Sequence, residues 1–260
     1  MSSRQEKLEA FGRLLDIMDE LREKCPWDRE QTMESLRNLT IEETYELADA
    51  IIEEDLDEIR TELGDILLHI VFYAKIGDEK KSFDISDVIN TVNEKLIFRH
   101  PHVFGERKVS GSAEVVSNWE ELKMKENNGE KRVLSGVPIS LPALIKAHRI
   151  QDKARAVGFD WANREDIWQK VTEEIKEVKN EIAAGEEDKI QREFGDLFFS
   201  IVNAARLYDI EPETALEKTN KKFISRFNYI EENARSQGRN IYELSLDEMD
   251  DLWNKAKLKE

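Results

Sequence analysis

Little in this chain would staple, kink or anchor it. A single cysteine, Cys25, among 260 residues rules out an internal disulfide. Five prolines and eleven glycines leave long stretches free of helix breakers. No apolar run approaches the roughly 20 residues that a membrane-spanning helix needs. The opening segment, MSSRQEKLEAFGRLLDIMDELREK, reads as a charged amphipathic helix and not as a signal peptide. These absences predict a cytoplasmic protein with no membrane partner. Neither Gly-x-x-x-x-Gly-Lys-Ser/Thr nor Gly-x-Gly-x-x-Gly occurs, so no glycine-rich loop cradles a phosphate. The Cys/His spacing of a zinc site and the Glu-x-x-His of a di-iron bundle are missing too. Positive charge is in short supply. A formal net charge of −17 argues against nucleic acid as the main partner, although a local cluster of cations could still hold a small anion.

What is present is charge at helical spacing. Charged residues make up 37% of the chain. Apolar positions recur with helical period over residues 5–24, then from about Thr40, from about Leu56 to Ile76, and near 85–99 and 113–126. The segment 127–142, NNGEKRVLSGVPISLP, holds two glycines and two prolines and reads as a linker. Helical patterning resumes at Ala143, with breaks at 158–161 and Gly185. The expected fold is all-α: an N-terminal helical domain over 1–126, the linker, and a C-terminal helical domain over 143–260.

The two domains repeat one another. Glu43, Glu46, Glu62 and Asp65 recur as Glu174, Glu177, Glu193 and Asp196, each shifted by 131 positions. Two further blocks recur in the same order: 93–99 with 220–226, and 119–126 with 253–260. Internal duplication explains all three. Acids three apart share a helix face. Folding each helix pair into an antiparallel hairpin places its acids symmetrically about position 54 or position 185. Four carboxylates then converge, and like charges gathered in one place call for a cation between them. An all-oxygen set suits a hard ion, Mg²⁺ or alternatively Mn²⁺. Thr40 to Glu43 also reads as a capping box, but Val171 replaces Thr40 in the second copy while Glu174 is retained. His69, one turn after Asp65, corresponds to Ser200 and is set aside as a ligand.

Cations are paired beside these acids. Lys95 and Arg99, and again Lys222 and Arg226, lie four apart on one helix face, a spacing suited to clamping a polyphosphate. Trp119 and Trp253 accompany them and could stack on a base. The segments CPWDREQT (25–32), EETYELADAI (42–51), ELGDILLHIVFYA (62–74), RHPHVFGE (99–106), VGFDW (157–161) and EFGDLFFSIVNAAR (193–206) resemble the MazG family of tandem nucleoside triphosphate pyrophosphohydrolases.

That resemblance covers essentially the whole chain. It implies two tandem MazG-like helical bundles, a homodimer, dependence on Mg²⁺, and conversion of a nucleoside triphosphate to its monophosphate and pyrophosphate. It implies Glu174, Glu177, Glu193 and Asp196 as metal ligands, and Lys189, Lys222, Arg226 and Trp253 as nucleotide contacts. Glu173 or Glu174 would take the proton of the attacking water. Glu43, Glu46, Glu62 and Asp65, with Lys95, Arg99 and Trp119, would form the first domain's version. Glu58 stands where the second domain has Lys189, which predicts a weak or inactive first site. The alternatives are a related α-helical pyrophosphohydrolase with a narrower nucleotide substrate and a non-catalytic helical interaction protein with relict metal sites.

Overall fold

The computed structural model describes residues 2–111, 114–115, 118–119, 122 and 132–259. Most of the helix expected at 113–126, and the linker's first residues, 127–131, lie outside them. The described residues are helical, with no strand among them. The chain divides into two compact units, Met1–Lys123 and Met124–Glu260.

In the first unit, α1 (Arg4–Lys24) is followed by a short α2 (Pro26–Glu30) and the hairpin of α3 (Met33–Glu53) and α4 (Leu56–Glu79). Helices α5 (Ile85–Arg99) and α6 (Pro101–Phe104) follow, and the described residues 114–115, 118–119 and 122 are helical too. Helix α3 begins seven residues before the Thr40 start expected from sequence. Its true N-cap is Thr32, whose hydroxyl accepts the Ser35 N–H while the Ser35 side chain returns a bond to the Thr32 backbone. Thr40 sits inside the helix, with its hydroxyl bonded to the Leu36 carbonyl and 2.8 Å from the Tyr73 hydroxyl. Glu43 is therefore no capping residue, and its role must lie elsewhere.

The second unit repeats the plan. Helix α7 (Ala143–Ala156) precedes a hairpin of α8 (Ile167–Ala184) and α9 (Glu187–Leu207), then α10 (Pro212–Ser236) and α11 (Leu246–Lys257). Each hairpin reverses on one left-handed residue at its predicted centre. Glu54 has φ 59° and Gly185 φ 77°. Glycine takes that conformation freely, whereas a side chain resists it.

Each unit has its own packing. Met18, Leu36, Val71, Phe72 and Ile76 form the first core, where α1 lies against the hairpin. In the second unit Ile167, Val171 and Ala204 pack between α8 and α9, and Ile230, Ala234, Leu244 and Leu252 between α10 and the chain's last turns. The hairpins also present apolar side chains outward, among them Tyr45 and Leu63 in the first unit and Phe194 and Phe198 in the second.

Candidate active site

Each hairpin brings three of its four acids together, not all four as the symmetric spacing predicts. In the first unit, carboxylate oxygens of Glu43, Glu62 and Asp65 all lie within 4.8 Å of one another. In the second, Glu174, Glu177 and Glu193 do the same. Glu46 and Asp196 fall outside these triads and are exposed, although Asp196 lines the same cavity as the second triad.

Crowding leaves an electrostatic mark. Glu62, only 4% exposed, is pushed up to about 7, first by burial and then by the charges of Glu46, Glu43, Glu58 and Asp65. Glu177 is raised by burial and by Glu174, Glu193 and Glu173. Glu62 and Glu174 each bury an Oε2 that has no hydrogen-bond partner. Converging oxygen ligands, repelling charges and unpaired buried acceptors together fit a hard divalent cation.

The second unit adds Lys170, which sequence reasoning missed. Its ammonium lies 2.6 Å from Glu174 and 3.0 Å from Glu173, and these two carboxylates hold its pKa above the ordinary lysine range. Glu174 is buried, while Glu173 is exposed. The signal was available in the repeat: the position equivalent to Lys170 is Leu39.

Beside the second triad opens a cavity of about 960 Å³. Lys170 and the four acids from Glu174 to Asp196 line one part of it, and Gln151, Asp160, Trp161, Asn203 and Arg206 line more. Arg206 grips Asp160 through both terminal nitrogens, at 3.1 and 2.5 Å. Burial pushes the Asp160 carboxyl up, but the bonds from Arg206 and the Trp161 N–H outweigh it and leave it below its ordinary range. In the first unit Phe72 stands at the position of Asn203 and Leu39 at that of Lys170, and both pack into the core around Met18.

The proposed nucleotide contacts lie elsewhere on the second unit. Lys189 is exposed in the first turn of α9 and pairs with Glu186 at 2.8 Å. Arg226 lies over the Trp253 ring, 5.3 Å from its centre, with Phe223 5.0 Å from the same ring. Lys222 is exposed on the same helix. None of these four lines the cavity. The first unit repeats the motif, with Arg99 5.2 Å from the centre of the Trp119 ring and Lys95 exposed. Glu58 is exposed in the first turn of α4, the place Lys189 takes in α9. His69 is buried with Nδ1 unpartnered and does not join the first triad.

Comparison with known proteins matches this arrangement twice over. The model of the MazG nucleotide pyrophosphohydrolase domain matches residues 31–104 and again 163–230, one hairpin in each unit. A protein of Thermotoga maritima named nucleoside triphosphate pyrophosphohydrolase/pyrophosphatase MazG is 45% identical over 250 residues, covering 95% of each chain. The nucleoside triphosphate pyrophosphohydrolase of Escherichia coli K12 is 41% identical over 257 residues, covering 96% of this chain and 98% of its own. A crystal structure of a MazG-related protein from Thermotoga maritima is 31% identical, covers 43% of this chain and 97% of its own, and superposes with a TM-score of 0.39. With the family's domain found once in each half and relatives matched along nearly their full lengths, this chain belongs to the MazG family.

Proposed function

We propose that the chain hydrolyses a nucleoside or deoxynucleoside triphosphate to the monophosphate and pyrophosphate, and that the C-terminal domain, residues 143–260, does so. The observation that carries this reading is a triad of converging carboxylates, Glu174, Glu177 and Glu193, opening onto a cavity of small-molecule size. The names of the relatives supply the substrate class. Glu174, Glu177, Glu193 and Asp196 would hold Mg²⁺, with Mn²⁺ as a substitute. Once bound, Mg²⁺ would offset the triphosphate's charge and lower the pKa of water.

The residues then divide the work. Water attacks the α-phosphorus, the bond from that phosphorus to the bridging oxygen breaks, and pyrophosphate leaves. Glu174 or its neighbour Glu173 takes the water's proton. Lys170, bonded to both, holds the two carboxylates in place. Lys189, Lys222, Arg226 and Trp253, which lie outside the cavity that the acids line, are proposed as nucleotide contacts on the family resemblance, with Arg226 held over the Trp253 ring. Glu43, Glu46, Glu62 and Asp65, with Lys95, Arg99 and Trp119, make a second and weaker site. Phe72 and Leu39, at the positions of Asn203 and Lys170, pack into the first unit's core, and Glu58 stands in place of Lys189.

The outward apolar faces of the hairpins support assembly as a homodimer. A monomer's mass in sedimentation equilibrium at micromolar concentration would exclude the dimer. The activity is tested by incubating the protein with Mg²⁺ and each common triphosphate, then resolving all phosphorylated products. Monophosphate and pyrophosphate should appear in equal amounts. Steady release of diphosphate and inorganic phosphate would overturn the proposal.

A further inference from the structure

We infer that Gln151 and Asn203, in the cavity beside the second acid triad, form the subsite that reads the edge of the substrate's nucleobase. The inference rests on the activity proposed above and assigns the part of the cavity that the acids do not use.

Gln151 is 6% exposed and lines the cavity. Its Nε2 donates to the Phe199 carbonyl at 2.9 Å, which sets the orientation of the amide. Its Oε1 is buried with no hydrogen-bond partner. A buried acceptor left unpaired is costly, so a ligand that brings an N–H group there recovers that cost.

Asn203 is oriented by the opposite device. Its Oδ1 accepts from Arg206 Nε at 3.0 Å and Nη2 at 2.8 Å, and Arg206 is itself held by Asp160. With the oxygen engaged twice, the amide offers its Nδ2 as a donor. The cavity is thus lined by one amide with an unpaired acceptor and another with its oxygen already committed. Nucleobase edges carry both donors and acceptors in one plane, whereas a charged phosphate offers acceptors only; a sugar hydroxyl also does both, so the base-free probe below separates sugar from base. Phe159 and Trp161, which also line the cavity, supply aromatic faces for a planar ring.

A purely structural role accounts for only part of this. The Asp160–Arg206–Asn203 chain could serve simply to tie the 158–161 turn to α9. That leaves the Gln151 acceptor unexplained, and it leaves unexplained why the fold keeps a polar Asn203 where the first unit buries Phe72.

The test compares nucleotides with a base-free probe on the full-length protein. Values of kcat and KM are measured for ATP, GTP, CTP and UTP, and for ribose 5-triphosphate. Gln151→Met should raise KM for the preferred nucleotide on the order of tenfold with kcat little changed, since a base contact is made equally in the ground and transition states. Ribose 5-triphosphate should lose far less, within about twofold, because it has no base to read. Asn203→Asp keeps the oxygen for Arg206 but replaces the donor by an acceptor, and should reorder the preference among the four bases. An unchanged base profile in both variants, with native helix content, would overturn the inference while leaving the hydrolase proposal intact. An equal loss on ribose 5-triphosphate would also overturn it, since the residues would then serve the fold or the phosphates. If the unaltered protein released pyrophosphate from none of these substrates, the hydrolase proposal itself would fail.

Discussion

At the scale of single residues, the decisive contrast is between carboxylates that have a partner and those that lack one. Glu174 is only 4% exposed, yet one of its oxygens is bonded to Lys170 and the other to nothing. Glu193, from the second helix of the hairpin, completes the triad. Glu193→Gln keeps the shape and removes a charge. Turnover should fall by more than the roughly 10- to 100-fold that even residues behind metal ligands cost, with circular dichroism unchanged and the response to Mg²⁺ weakened. Unaltered activity and metal response would return Glu193 to an ordinary solvated helix face. Glu248 shows the opposite case, a carboxylate fully satisfied. The guanidinium of Arg239, then the backbone N–H and the hydroxyl of Ser245, hold it down at about 2. A depressed carboxyl adds stability that is present above the ordinary value of 4.5 and is lost as pH falls toward about 2. Denaturant midpoints followed across that window should fall less steeply for Glu248→Gln than for the unaltered protein. Parallel curves would show that the pair contributes nothing to acid sensitivity.

At the scale of elements, the acid sites depend on where the hairpins turn. Both reversals fall on the residue midway between the acid pairs, Glu54 and Gly185, and three acids of each hairpin then meet. A longer or shorter turn would slide one helix past the other and separate the carboxylates. A Cβ on Gly185 would meet nothing within 4 Å, so the cost of Gly185→Ala comes from the left-handed backbone alone. We expect a loss of about 1 kcal/mol in stability, read from the urea midpoint, with the fold retained because Glu54 already tolerates this conformation. A loss several times larger would mean that the turn packs against something the geometry does not show. The start of α3 was the element least legible from sequence. Thr40 and Glu43 have the right types and spacing for a cap, but the Thr32–Ser35 pair caps the helix earlier. Two candidate caps in tandem are resolved only by which turn the rest of the unit packs against.

At the scale of the whole molecule, duplication has produced two acid sites in different surroundings. The second triad opens on a cavity that holds Lys170 and Asn203, while the first unit places Leu39 and Phe72 at those positions and packs them into its core. The first unit also has Glu58 where the second has Lys189, and on the proposed reading a negative charge there opposes charge building on a leaving group. Glu177→Gln should therefore abolish most hydrolysis, at least about tenfold on the same reasoning as for Glu193, and Glu46→Gln should spare most of it. Both variants must first be shown to keep the native helix content and assembly. If Glu46→Gln were the more damaging, the active half would have been assigned the wrong way round.

The helical class, the duplication, the two turn centres and the meeting of three acids in each hairpin were legible in the sequence, whereas Glu46 and Asp196 were expected to join them and do not. The legible features follow from period, spacing and charge, which are local properties of a chain, and the symmetric midpoints follow from arithmetic on a hairpin. The cavity was not legible. Its lining comes from three helices, the 159–162 segment, Asp166 and Leu134, brought together by packing, and Gln151 and Asn203 gain meaning only from what each amide already bonds. Lys170 stood between these cases: its position four residues before Glu174 was visible, but only the folded hairpin shows its ammonium shared between Glu173 and Glu174. Residue type and spacing decided which groups could meet, and tertiary packing decided which of them were left with a buried, unpaired atom.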